Sequence, residues 1–542
     1  MTNLLIKSSN SISFLVFIFT TLISQVYIFN YYSITASPDF RKYYDYFLYF
    51  NGDLQLTGIE QGLFYYFFCF LIFSKNSSNI NIFNFEDVLS ASILEANFYF
   101  YILTILGLIK LLKLFGQEYK NIFFVLSVLN FFPPMAVLRM VYKPEVVITT
   151  LFVWLIFFIE TSLKLRSKFS PYLVVVTLAI ITSIKVSSSI IVVLSILFIY
   201  KKRIFDLPKI YFLTSTFLVL YIFLGLENYA ANGLLIFQHQ NPSAYNNTAG
   251  FSFIYNFDVL KLISAPVRHE HSNSAISILL LDTFDDYFRL YWKNDESMFN
   301  AYSVKIYHNY FRQYLGILLS SVYFISIIFF INKKNKFRHF MALPFLGIFV
   351  MLFVSLFIQF DPSRGDMIKN YYFGFLLIIS FCFILINVNK TIYQISFLIL
   401  FTSLIFLIFG FPKTLNNSAS QKIDYQNQYS ITCGIGSYFD ENVDSDCYDY
   451  ESQYCSQEFL SEKKLDFVNG ILTQIDSELY KQNIVNVYNL QLSNYSDSME
   501  SCFSKDLISR NKKFSLKNNF PIFNTLLFII FLVGTAFRFK KR

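Results

Sequence analysis

The chain of 542 residues is 55% hydrophobic, has a mean hydropathy of +0.46 and carries only 15% charged residues, against about 25% in an ordinary soluble domain. A soluble core cannot enclose this much apolar surface, so the composition excludes a soluble globular protein and predicts an all-α polytopic membrane protein. The net charge of +8 does not indicate a nucleic-acid partner, because the position of the basic residues matters more than their sum.

Apolar runs predict about twelve transmembrane helices. The first, "SISFLVFIFTTLISQVYIF" at Ser11–Phe29, is long enough to cross a membrane and lacks the small-residue cleavage pattern of a signal peptide. Pro133 and Pro134 interrupt the third run. The predicted spans are residues 11–29, 92–115, 122–142, 145–160, 170–184, 186–200, 209–226, 312–332, 341–360, 371–387, 392–410 and 521–537.

The connectors between these spans carry positive charge on one side only. With the N-terminus inside, the inner connectors are "KLLKLFGQEYK", "TSLKLRSK", "YKKRIFDLPK", "NKKNKFRH", "VNKT" and the tail "RFKKR". They hold Lys and Arg at high density and very few acids, which is the positive-inside pattern. This pattern predicts an integral multi-pass protein of the plasma membrane with both termini in the cytoplasm.

Three long segments then face the outer side, at about residues 30–91, 227–311 and 411–520. Within the first, "GLFYYFFCFLIF" (Gly62–Phe73) is apolar but too short to cross, so we expect an interfacial or re-entrant helix there, with a short true span as the alternative. The chain thus divides into a transmembrane domain at 1–410, an extracytoplasmic domain at 411–520, and a final helix with a basic tail at 521–542.

The cysteines fall into two groups. Cys69 and Cys382 lie in apolar runs and are expected to be buried packing residues. An even set in the third outer segment favours two disulfides in an oxidising space, with a zinc site as the weaker alternative because no C-x-x-C pair occurs. That set is Cys433, Cys447, Cys455 and Cys502.

Ionisable groups at membrane depth are costly and are often functional. The predicted topology gathers acids and bases on the outer side, where they could serve a reaction at the interface. They are Asp39, Asp45, Glu60, Arg139, Lys143, Glu145, Lys185, Asp282, Asp285, Asp286, Arg364, Asp366 and Lys369.

Simpler interpretations stay open for these residues. Lys185, between two spans, can extend its ammonium to the interface from a tight turn. Arg139 and Lys143 are one helical turn apart, which is typical of interfacial anchors, and rings such as Tyr43 and Tyr44 are typical of an interfacial aromatic belt.

A metal site is open but not favoured. Asp282, Asp285 and Asp286 could contribute to binding a divalent metal, although solvated or helix-capping carboxylates are the commoner role. In "RHEH" (Arg268–His271) the two histidines are two residues apart, and only a spacing of four would put both on one helix face. The sequence therefore names no certain cofactor.

The outer set of residues fits one reaction well, the transfer of a sugar from a lipid phosphate to an acceptor hydroxyl. The acceptor oxygen must lose a proton, which calls for a carboxylate base. The departing phosphate gains charge, which calls for Arg or Lys donors. Aromatic rings and short apolar helices could line a groove for the lipid.

Five stretches in this order resemble the GT-C superfamily of integral membrane glycosyltransferases, in its bacterial branch near the protein-mannosyltransferase and aminoarabinose-transferase type enzymes. The likeness extends over about residues 10–390. The stretches are "SPDFRKYYDYF", "IEQGLFYYFF", "KPEVVITTLFVWL", "TSIKVSSSIIVVLSILF" and "GDMIKNYYFGFLLI".

The resemblance implies a GT-C-like fold, a polyprenyl-phosphate sugar donor, a glycan, lipid or protein acceptor and a bacterial inner membrane. It implies that Asp39 is the base, with Asp45 second, and that Lys369, Arg364 and Lys185 bind the lipid phosphate. The acidic pair of the mannosyltransferase branch is replaced by Asp39–Phe40, and the W-W-D signature of oligosaccharyltransferases is absent. Transfer to protein Asn is therefore not expected.

Three other functions compete with this one. An O-antigen polymerase or ligase would depend on Arg364 rather than on Asp39, and the Arg364→Ala and Asp39→Ala variants separate the two. A transporter or flippase would place ionisable groups in mid-span, facing a cavity. A membrane scaffold would use the segment at 411–520 to bind a partner and would need no catalytic residue.

Overall fold

The chain forms a bundle of α-helices. In this computed structural model the described residues are 2–31, 40–51, 62–76, 85–140, 143–167, 169–206, 217, 248–266, 268–271, 273–284, 310–332, 335–358, 374–387 and 399–407. No strand occurs among them. The predicted spans at 209–226 and 521–537, the domain at 411–520 and its four cysteines lie outside these residues, apart from the single residue 217.

The helices follow the predicted order. They are α1 (Thr2–Tyr31), α2 (Phe40–Asn51), α3 (Leu63–Asn76), α4 (Phe85–Leu114), α5 (Tyr119–Leu129), α6 (Pro133–Met140), α7 (Glu145–Leu165), α8 (Ser170–Ile184), α9 (Val186–Tyr200), α10 (Ser252–Tyr255), α11 (Val259–Ser264), α12 (Ala275–Asp282), α13 (Tyr310–Asn332), α14 (Arg338–Met341), α15 (Leu343–Phe357) and α16 (Gly374–Asn387). Short 3₁₀ helices occupy Lys201–Asp206 and Arg268–His271, and residues 399–407 are helical.

Within the described part of the chain, three helices are long and apolar enough to cross a membrane, in α4, α7 and α13. The count rises to four if the bent pair α5 and α6 forms one span. Other apolar helices, such as α8, α9, α15 and α16, have 14 or 15 residues. A helical membrane protein is therefore supported, while the number of twelve spans stays a prediction.

The predicted interruption at the two prolines is confirmed. α5 ends at Leu129, α6 begins at Pro133, and their axes differ by 63°. Proline has no N–H for the helical hydrogen bond but suits the first turn of a helix, so the chain stops one helix and starts another there.

α7 is the central helix, because it packs between α4 and α8 and 89% of its most apolar 18-residue stretch is buried. Gly107 on α4 lets α7 approach closely, and the indole N–H of Trp154 donates to the carbonyl of Leu103 at 3.0 Å. We call the end of the bundle where α7 begins the Glu145 end, and the end where it finishes the Leu165 end.

α8 and α9 form a helical hairpin whose turn is one residue, Lys185, with extended backbone. The turn lies at the Glu145 end, and the hairpin returns to Tyr200, which interacts with Glu160 near the Leu165 end. The predicted helices at 170–184 and 186–200 match the observed bounds.

Cys69 and Cys382 are free and fully buried, as predicted. They belong to α3 and α16, inside the main apolar core. Both side chains therefore serve packing.

Candidate functional site

Lys185 forms an ion pair with Glu145 at the Glu145 end. The ammonium Nζ lies 3.2 Å from the carboxylate Oε1, and the side chains are 17% and 13% exposed. Glu145 opens α7, where the helix dipole favours its negative charge, whereas Lys185 lies between the C-terminus of α8 and the N-terminus of α9, whose dipoles act in opposite senses on its positive charge. Lys185 is thus held by a partner rather than extended freely to an interface.

The first turn of α3 is seated on the Lys185 turn. The N–H of Gly62 donates to the carbonyl of Ile184 at 3.1 Å. A Cβ added at Gly62 would lie 2.0 Å from the carbonyl oxygen of Ser183, so only glycine allows this approach. The contact places the predicted first outer connector directly against the charged hairpin turn.

Three hydrogen bonds connect α2 to α6 through α3 and α4. Tyr43 donates to the hydroxyl of Tyr65 at 3.1 Å, Tyr65 donates to Asn97 Oδ1 at 2.9 Å, and Asn97 Nδ2 donates to the carbonyl of Arg139 at 3.4 Å. Burial raises the pKa of Tyr43 well above its ordinary value, so its hydroxyl keeps the proton that it donates.

The interpretation of Tyr43 as part of an interfacial belt is wrong. Tyr43 is completely buried, and its ring contacts Tyr66 at 5.0 Å, while Tyr46 stacks on Tyr66 at 4.0 Å. Aromatic rings in such contacts add to the energy of burial. Tyr43 and Tyr46 therefore attach α2 to α3, not to lipid.

α3 itself is enclosed by protein on most of its surface. Nine of its 14 residues are buried, against neighbours that include α2, α4 and α8. The length of α3 predicts that it does not cross the membrane. Its composition did not indicate that other helices would surround it.

Arg139 is not an exposed anchor, because only 1% of the residue is accessible. It lies on α6, beyond the bend, and contacts α1, α4 and the end of α5. Lys143 is half-buried and precedes α7. The anchor interpretation is therefore wrong for Arg139.

Asp282 lies in another part of the bundle. It ends α12, is 2% exposed, and is followed by Phe284, whose ring contacts Phe132 at 5.2 Å and Phe381 at 6.1 Å. Phe132 lies at the bend between α5 and α6, so α12 brings this acid deep among the helices.

The described residues contain no group of three or more His, Cys, Asp or Glu that could hold a metal ion. His271 of the "RHEH" stretch instead bonds the carbonyl of Ala265 at 2.8 Å.

Several predicted site residues lie outside the described part of the chain or on a helix whose side chain at that position is not described. Asp45 belongs to α2, and α2 begins at Phe40, the residue after Asp39. The predicted residues outside the described part of the chain are Asp39, Glu60, Asp285, Asp286, Arg364, Asp366 and Lys369.

Tyr65 and Asn97 belong to the hydrogen-bond path of the site, and the sequence analysis did not predict them. The signal for Asn97 is an amide within an apolar run, which must find hydrogen-bond partners when buried. The signal for Tyr65 is weaker, because it lies in a stretch with many other aromatic residues.

The fold and the site define a helical membrane protein with a buried polar layer at the Glu145 end. No family model, curated protein or solved structure matches the chain. The proposals below therefore depend on the geometry and on the sequence resemblance alone.

Proposed function

We propose that the protein is a membrane glycosyltransferase of GT-C type. It moves a sugar from a polyprenyl-phosphate donor to a hydroxyl of a lipid-linked glycan, a lipid or a protein on the extracytoplasmic side. The Glu145 end is the outer end in this proposal.

One observation carries the proposal: the start of α3, within the predicted first outer connector, is seated on the turn that holds the half-buried Lys185–Glu145 pair. α3 begins at the Lys185 turn, and the Tyr43–Tyr65 hydrogen bond attaches α2 to α3. α2 begins one residue after Asp39. The described part of the first connector thus lies against the turn that carries Lys185, which supports the proposal that an acid of this connector acts beside it.

The chemistry assigns a role to each group. Asp39 accepts the proton of the acceptor hydroxyl, whose oxygen attacks the anomeric carbon of the donor sugar. The bond from that carbon to the phosphate oxygen breaks, and the lipid phosphate leaves with the electron pair. Lys185, with Lys369 and Arg364, stabilises the negative charge of the leaving phosphate.

Glu145 positions Lys185 in this scheme. The ammonium of Lys185 donates to Glu145 Oε1 at 3.2 Å, and this bond fixes the position of the positive charge. The low exposure of Lys185 strengthens the attraction between its ammonium and an incoming phosphate, and the Glu145 carboxylate opposes part of this attraction.

The test uses the full chain in lipid vesicles with labelled polyprenyl-phosphate hexose and pentose donors. We expect Lys185→Met to lower the transfer rate by about 10²-fold or more and Asp39→Asn by about 10²–10⁴-fold. α7 supplies a matched control, because Glu160 pairs with Lys164 at 2.9 Å near its other end.

Lys164→Met removes the same charge from the other end of α7, so it should transfer at nearly the wild-type rate. Full transfer by Lys185→Met would refute the role of Lys185, and full transfer by Asp39→Asn would refute that of Asp39.

A transporter is the second candidate, and one observation favours it. A bent helix pair with a fully buried arginine is typical of substrate pathways in transporters. Solute uptake by reconstituted vesicles that form no glycan product would replace the first proposal with this one.

A further inference from the structure

Among the described residues, the partners of the buried Arg139 guanidinium are all neutral. Nη1 donates to Ser24 Oγ at 3.1 Å and Gln25 Oε1 at 3.2 Å, and Nη2 donates to the carbonyl of Asn130 at 2.7 Å. The ring of Tyr101 lies 4.4 Å below the charge. No carboxylate of the described chain forms an ion pair with it.

An unpaired buried charge is among the costliest features of a protein interior. α1, α4 and the end of α5 all contribute groups to this one side chain, so the site is built rather than incidental. The missing component is a negative charge.

Two nitrogen atoms of the cluster also lack a hydrogen-bond acceptor. Arg139 Nε and Gln25 Nε2 are both buried and both make no hydrogen bond. An arginine has five N–H donors, and the three bonds above use three of them. Nε and the remaining N–H of Nη2 are left, which is the edge that binds two oxygens of a phosphate or carboxylate.

We propose that Arg139 and Gln25 form a binding site for a phosphate-type oxyanion. One anion compensates the charge of the guanidinium and accepts from Nε and Nε2 together. This site is distinct from the Lys185–Glu145 pair, and it applies equally to an enzyme and to a transporter.

The surroundings limit how the anion enters. The two donor atoms are closed off from solvent, so α1 and α6 must separate for the anion to pass. Residues 24 and 25 lie within two turns, about 8 Å, of the outer end of the predicted first span, which is the end nearer to the lipid phosphates.

The test measures the unfolding midpoint of the full chain in uncharged detergent and phosphate-free buffer. Dodecyl phosphate tests a lipid source of the anion, inorganic phosphate tests a free ion, and dodecanol controls for the alkyl chain. We expect saturating dodecyl phosphate to raise the wild-type midpoint by about 2 °C or more. A rise with inorganic phosphate as well would assign the site to a free ion.

Gln25→Glu is the decisive variant, because it places a carboxylate beside the guanidinium and removes the unpaired N–H group of the amide. We expect Gln25→Glu to unfold at a higher temperature than wild type without phosphate and to lose the response to it. Gln117→Glu adds the same charge at the Leu165 end and should respond like wild type. Arg139→Met should also lose the response.

Two results would overturn the proposal. One is a wild-type protein that responds to neither phosphate, which would mean that water satisfies the two donors. The other is a Gln25→Glu variant that responds as strongly as wild type, which would locate the binding elsewhere. Neither result bears on sugar transfer, which the Lys185 and Asp39 variants test separately.

Discussion

Replacing Gly62 with alanine tests the contact between α3 and the Lys185 turn. The new methyl carbon would lie 2.0 Å from the carbonyl oxygen and 2.6 Å from the carbonyl carbon of Ser183. Both atoms are backbone within a helix and cannot rotate away, so α3 must shift. The 3.1 Å hydrogen bond from Gly62 to Ile184 is then lost.

The expected cost follows from these two effects. Overpacking of a rigid contact costs about 1–3 kcal/mol, and the lost hydrogen bond adds about 1 kcal/mol. We therefore expect Gly62→Ala to lower the free energy of unfolding by about 2–4 kcal/mol. In the proposed enzyme it should also lower the transfer rate, because α2 and α3 move away from Lys185.

The assay compares the unfolding midpoint of Gly62→Ala with that of Gly250→Ala in the same detergent. At Gly250 the nearest atom to an added Cβ is Ser252 Oγ at 3.4 Å, which is an ordinary contact. Gly250→Ala should stay close to wild type. If Gly62→Ala unfolds at the wild-type temperature, the close approach of α3 to the turn is refuted.

Three further predictions concern other parts of the bundle. Tyr65→Phe should destabilise by about 1–3 kcal/mol, because it leaves the buried Asn97 carbonyl without its donor, and an unchanged unfolding midpoint would contradict the hydrogen-bond path. Gly107→Ala should cost about 1–3 kcal/mol, because its methyl carbon would lie 2.9 Å from Val153 Cγ1 at the contact of α4 with α7; unfolding like wild type would show that the side chain yields. Burial and nearby positive charges lower the pKa of His339 below its usual 6.5. Its contribution to the free energy of unfolding is therefore fully present above pH 6.5 and is lost as the pH falls through the pKa of the folded state. The unfolding midpoint of His339→Gln should fall less at acid pH than that of wild type.

The local features of the fold could be predicted from the sequence. The break at Pro133 follows from the chemistry of proline, and the bounds of α8 and α9 follow from the polar residue between two apolar runs. Each depends on neighbours in the sequence, which is why a pattern could find it.

The contacts of the site could not be predicted, because they join distant residues. Lys185 and Glu145 are 40 positions apart, and Arg139 and Ser24 are 115 apart. A charged side chain near a helix end can point to lipid, to water or to the protein interior, and the sequence does not distinguish these three orientations. Only the packing of α1, α4 and α6 shows that Arg139 is enclosed.

The turn between α8 and α9 is a single residue, so there is no extra chain length between these helices. Inserting a single residue there would rotate α9 by about 100° about its axis and turn part of its buried side towards its exposed side. The register of the hairpin and the height of the ammonium at its tip are therefore fixed together, so the chain length at this point is as strict a requirement as the identity of the residue.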